Sequence, residues 1–173
     1  MDFPAMQAFR YAKSQVVLHW VAALVIAVML LSGTFILSNL PNTPDKVGML
    51  RIHMMMGMLV AVLILTRVVM GRMLPAPPVT VDQKKAHLVH IVLNLAVLLM
   101  AASGSVLALQ SGLFDVVFGS GALPEDFKVF SARQVHGWVA KGVMALVALH
   151  VASALYHQFV LKDGVLARMT FRK

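Results

Sequence analysis

Three stretches of this 173-residue chain run for twenty residues or more without Asp, Glu, Lys or Arg: Ser14 to Pro44, Ala86 to Phe114 and Gly142 to Leu161. A helix needs about 20 mostly apolar residues to cross a bilayer, and inside hydrocarbon a helix satisfies all its own backbone hydrogen bonds. A fourth segment, Val47 to Met70, carries only Arg51 near its start and Arg67 near its end. The sequence therefore predicts an all-α fold, an integral membrane four-helix bundle. Helices are expected near 14–38, 47–71, 85–110 and 131–161, in a single membrane domain over 1–173. These helices use nearly the whole length and leave no room for a soluble domain. The chain is 60% hydrophobic, whereas soluble domains are about 45–50% apolar. The first apolar run is longer than the roughly 7–15-residue core of a secretory signal and opens with His19-Trp20, so it is expected to be retained.

Net charge is +8, and its distribution says more than its sum. Arg10, Lys13, Arg67, Arg72, Lys84, Lys85, Lys162, Arg168, Arg172 and Lys173 fall on the side of the N-terminus. Lys46, Arg51, Lys128, Arg133 and Lys141 fall towards the other. The positive-inside rule then puts both termini in the cytoplasm. The basic residues are split among separate loops and gather in no amphipathic stretch, which argues against a nucleic-acid partner. With no cysteine in the chain, disulfides, iron–sulfur clusters, thiol chemistry and covalent haem attachment are excluded.

The first external connection, SNLPNTPDKVG (38–48), has turn composition. The connection GRMLPAPPVTVDQKK (71–85) holds Pro75, Pro77 and Pro78, which stop the second helix and favour an extended path. The longest, 111–132, carries Phe114, Phe118, Phe127 and Phe130 and is expected to lie at the membrane interface as a short amphipathic cap.

Ionisable residues within spans are costly and are functional candidates by default. His19 falls near the cytoplasmic end of the first helix and His53 near the outer end of the second. His87 and His90 start the third; His136, His150 and His157 descend the fourth. His136 and His150 are 14 residues apart, about 21 Å of rise and about 40° of rotation, so one helix face offers an imidazole near each side of the membrane. His53 matches His136 in depth, and His19 matches His150. Two such pairs in a bundle core have the geometry of two b-type haems, with these four histidines as iron ligands. A single membrane histidine is more often an interhelical hydrogen-bonder than a ligand; four at paired depths are not so explained. Zinc calls for three or four ligands at one depth, often with carboxylate or thiolate. The seven acidic residues are all expected in tails or loops. Met54, Met55 and Met56 offer at most one thioether to an iron; otherwise they fill space around a flat macrocycle. Gly57, Gly33, Gly104 and Gly142 leave room for a porphyrin edge or serve close helix packing.

With LHW (18–20), RIHMMMG (51–57), LPAPP (74–78), AHLVH (86–90), HGWVAKGVMALVALHVASALYHQF (136–159) and KDGVLARM (162–169), the chain resembles the prokaryotic cytochrome b561 family over almost its entire length. Within that family it is most similar to bacterial inner-membrane members that oxidise superoxide. The resemblance implies two haems b on His19, His53, His136 and His150, and a ubiquinone near the cytoplasmic haem, involving His157 and a loop lysine, Lys84 or Lys85. His157 lies seven residues past His150, about 10 Å nearer the cytoplasm on nearly the same face. His87 and His90, at similar depth, either assist the quinone or act as interfacial histidines and propionate partners.

At the outer face Lys46, Arg51, Arg133 and Lys128 ring the His53–His136 level, opposed by Asp45, Asp115, Glu125 and Asp126. Focused positive charge raises the encounter rate of a small anion, and superoxide needs only to hand over one electron there; the same arginines also suit haem propionates. The expected activity is superoxide oxidation outside and ubiquinone reduction inside, with Arg51, Arg133 and Lys46 serving the outer substrate and no partner protein required. The alternative is an electron-transfer anchor that relays electrons between a partner oxidoreductase and the quinone pool.

Overall fold

A computed structural model describes residues 9–75 and 81–171; Pro77 and Pro78, and the terminal charges Arg172 and Lys173, lie outside the described residues. The described chain is helical, in the order α1 (Lys13–Leu31), α2 (Pro44–Met73), α3 (Val81–Gln110), α4 (Leu113–Phe118) and α5 (Ser131–Tyr156). Among the described residues four segments are long and apolar enough to cross a membrane: Lys13–Asn39, Pro44–Met73, Lys84–Gln110 and Ser131–Leu161.

Local chemistry sets the ends. Gln15 Oε1 accepts from the Ala12 N–H at 3.1 Å, satisfying a donor ahead of α1. Pro44 occupies the first turn of α2, where its missing N–H costs nothing, with Asp45 there and Arg72 in the last turn to complement the helix dipole. Two spans end in π-turns, Ser32–Ile36 after α1 and His157–Leu161 after α5; such turns are frequent at functional sites. Gly112, at φ +66°, reverses the chain between α3 and α4. Asp45 on α2, Asp82 on α3 and Asp115 on α4 correct the expectation that every acidic residue lies in a tail or loop.

The spans zigzag. α1 packs on α2, α2 on α3 and α3 on α5, while α5 comes less close to α1 and α2. Mid-depth, Ala22, Leu30, Val60, Ile64, Val97 and Val143 form one apolar layer. A second, at the end away from the termini, joins Leu50 and Ala108 to Leu113, Val116 and Val117. The 111–132 connection is thus folded over that end through α4. Its Phe114 and Phe118 point away from the core and stack at 6.5 Å, while Leu113, Val116 and Val117 face inward. Leu24, Leu95, Leu149 and Phe159 are exposed on the flanks, where lipid is the solvent. On the terminal face the chain after α5 returns to α1: Trp20 Nε1 donates to the Met169 carbonyl at 2.9 Å, and Tyr11 N–H to the Arg168 carbonyl at 3.4 Å. Burial holds the Tyr11 phenol above its ordinary pKa, against the pull of the Arg168 and Arg67 cations.

Candidate functional site

The 14-residue interval on α5 recurs on every span. His19 and Gly33 lie 14 apart on the first, His53 and Arg67 on the second, His90 and Gly104 on the third. Each pair therefore shares a face, four turns apart. In a zigzag bundle this sorts the eight positions into two layers. The layer nearer the termini holds His19, Arg67, His90 and His150; the outer holds Gly33, His53, Gly104 and His136.

In the outer layer the rings of His53 and His136 have centroids 6.3 Å apart. In the inner layer those of His19 and His150 are 6.5 Å apart. A metal–imidazole bond is about 2 Å long, and with roughly 1.1 Å from nitrogen to ring centre, two imidazoles on opposite sides of one iron have centroids about 6.3 Å apart. The separation of both pairs matches that span, and both are half-buried. Among the described residues no three His, Cys, Asp or Glu converge as metal ligands.

The outer pair is cleared by glycine. A Cβ on Gly104 would stand 3.0 Å from His136 Cε1, and one on Gly33 would stand 3.1 Å from His53 Cε1. Gly57 faces the Met29 methyl at 3.8 Å, and a Cβ on Gly142 meets nothing within 4 Å. The methionine run divides as its geometry requires. Met54 packs against the outer apolar layer, Met55 is exposed, and Met56 shares a small cleft with His53, Met29 and Ser32.

Hydrogen bonds set the ring tautomers. Ser103 Oγ donates to the Met100 carbonyl at 2.9 Å and lies 3.0 Å from His136 Nδ1. With its one hydrogen so used, Ser103 accepts from His136 Nδ1–H, which leaves Nε2 as a lone pair suited to a metal. His19 differs. Arg67 Nη1 lies 2.6 Å from its Nδ1; a guanidinium can only donate, so here Nδ1 accepts, the neutral ring carries its proton on Nε2, and binding a metal there requires Arg67 to release Nδ1. His90, expected at the depth of His157, instead stands beside His150 with ring centroids 5.5 Å apart.

At the outer end Arg51 Nε donates to the Val117 carbonyl at 2.9 Å and so ties α2 to α4. Lys46 Nζ donates to the Leu40 carbonyl and Asn42 Oδ1, both at 2.9 Å, and sits over the Phe127 ring. Arg133 Nη1 lies against Gly137, one turn along α5. At the terminal end Lys84, Lys85 and His87 are exposed at the start of α3, and among the described residues no hydrogen bond or ring contact joins them to His157. That histidine opens the π-turn after α5 and pairs through Nδ1 with Asp163 Oδ2 at 2.5 Å. Sequence reasoning missed Arg67, Ser103 and Asp163 as site residues. For Arg67 a signal was present: it follows His53 at the same interval that separates His136 from His150.

Four apolar spans that bring imidazoles together in iron-spaced pairs define a membrane cytochrome, a haem-binding helical bundle. The family described as prokaryotic cytochrome b561 matches residues 10–172, and the chain belongs to it. It is accordingly a multi-pass membrane protein that carries b-type haem and transfers electrons. A search among curated proteins returned no match.

Proposed function

We infer that this protein is a dihaem cytochrome b of the bacterial inner membrane that oxidises superoxide at the periplasmic face and reduces ubiquinone near the cytoplasmic side. The observation that carries the reading is the pair of imidazole pairs, 6.3 and 6.5 Å between rings, at the two ends of α5. His53 and His136 would hold one haem b, His19 and His150 the other. When bound, each haem supplies a one-electron iron couple at its own depth.

The chain's own residues do the rest. Ser103 orients His136, and Gly33 and Gly104 let the outer rings stand close to the neighbouring helices. Arg51, two residues before His53, and Arg133, one turn before His136, put positive charge at the outer level, with Lys46 on the first turn of α2. That charge draws a small anion. On the opposite face, where the excess of Lys and Arg places the cytoplasm, His157 would meet the quinone headgroup, with Lys84, Lys85, His87 and His90 towards the same end of α3. The net reaction takes one electron from each of two superoxide anions, which leave as dioxygen, and adds two electrons and two protons to one quinone.

A superoxide pulse under anaerobic conditions tests the outer half, with haem reduction followed optically at low and high salt. A fast rate that falls as salt rises is expected. Arg51→Gln/Arg133→Gln should slow it roughly ten-fold with the oxidised haem spectrum unchanged. A slow, salt-insensitive wild-type rate overturns the superoxide reading and leaves the electron-transfer anchor for a partner oxidoreductase in its place.

A further inference from the structure

At the end of α5 the helix loosens into the π-turn His157–Leu161, and Lys162 (φ 53°) and Gly164 (φ +72°) both adopt the left-handed conformation. These two positive-φ residues flank Asp163 and turn its carboxylate back onto the helix it has just left. Both of its oxygens are engaged: Oδ2 with His157 Nδ1 at 2.5 Å, and Oδ1 with the Val165 N–H at 3.2 Å. The hydrogen bond from His157, joined by that of Val165 and the Arg168 cation, holds the Asp163 carboxyl below the usual carboxylate range despite some desolvation. It therefore stays ionised and can only accept. His157 consequently keeps a proton on Nδ1 whether the ring is neutral or an imidazolium, and Nε2 is the ring nitrogen that gains a proton from water and gives it to a substrate. Rather more than a third of each side chain is exposed, 35% for His157 and 37% for Asp163, so water reaches the pair. The Tyr156 ring stands edge-on to His157 at 6.3 Å.

We propose that Asp163 is a positioning residue of the quinone site, which fixes the tautomer of His157 and balances the imidazolium from which a quinone oxygen takes its proton. This rests on the reading of His157 as the headgroup's partner. The balance is simple. Two superoxide anions each lose an electron and leave as dioxygen, and the quinone gains both electrons and two protons. One proton comes from His157 Nε2, whose N–H bond breaks as the quinone O–H forms. The other comes from solvent. Water at the exposed side restores the His157 proton, and the carboxylate holds the ring in place meanwhile.

The test uses the full, haem-loaded chain, reduced anaerobically with limiting dithionite and then mixed with decylubiquinone while haem reoxidation is followed. Asp163→Asn should lower the saturating rate roughly ten- to hundred-fold with KM changed less than about two-fold and both haem spectra intact. Asp163→Glu should recover a substantial part of it. In a His157→Ala background Asp163→Asn should have no further effect, because it acts through that ring. An Asp163→Asn rate equal to wild type, or an equal loss with and without His157, overturns the proposal; if Asp163→Asn fails to accumulate, the Asp163→Glu rate and its His157→Ala double variant decide on the same terms. A His157→Ala protein that reduces quinone at the wild-type rate removes the quinone reading itself. A slow His157→Ala beside an unaffected Asp163→Asn removes only the dyad.

Discussion

The two imidazole layers share one spacing and differ in what surrounds the rings. Outside, the positions matching the inner His19 and His90 are Gly33 and Gly104, and each lets a histidine ring approach a neighbouring backbone. Inside, the position matching His53 is Arg67, a cation bonded to His19. The outer layer is thus built by removing side chains and the inner by adding polar ones. The tautomers follow the same division: a neutral hydroxyl accepts from His136, whereas a guanidinium donates to His19. The two levels thus present paired imidazoles in different fields, with His136 already in a metal-binding tautomer and His19 held out of it by Arg67, and surroundings of that kind set the potential of a haem iron.

The comparison breaks most visibly if the layers are not independent. His136→Ala should leave one haem per chain, the inner, and His150→Ala should leave the outer, as counted by pyridine haemochrome and told apart by redox titration. Loss of both haems from either variant would mean that the layers assemble as one unit. Next in size, Gly104→Val should displace the His136 ring and deplete the outer haem alone, while Gly142→Val, whose added carbon starts in open space, should keep both. Equal loss from the two variants would reduce the outer glycines to ordinary helix packing. Ser103→Ala removes the acceptor of His136 Nδ1 and should weaken the outer haem about ten- to hundred-fold, the usual scale for the partner of a metal-bound histidine; haem-transfer kinetics to apomyoglobin would read it. Smallest, Arg67→Met takes a cation from beside the inner pair and should lower that haem's midpoint potential by tens of millivolts, since nearby positive charge favours the reduced iron. A shift shared by both haems would place the Arg67 field across the whole bundle.

The spans were legible because uncharged runs leave few alternatives: helices expected at 14–38 and 131–161 occupy Lys13–Asn39 and Ser131–Leu161. The approach of His19 to His150 and of His53 to His136 was legible too, because 14 residues return a helix to nearly the same face. The partners of those rings were not. A bundle in lipid is apolar towards its core and towards its solvent, so the sequence carries no inward stripe from which to read helix rotation. Ser103 then looks like any small residue of a membrane helix, and Arg67 like a charge at a helix end. Asp163 was hidden for a different reason. It reaches His157 only because Lys162 and Gly164 both take positive φ, and Lys is not a residue whose identity announces that conformation. The short α4 was hidden in LFDVVF, too brief a run to show a helical period.

The bond from Trp20 to the Met169 carbonyl joins residues 149 apart in sequence. During synthesis the first span enters the membrane long before its partner exists, so the indole beside His19 must wait for nearly all the intervening chain. The terminal face therefore cannot close through this bond until residue 169 has been made.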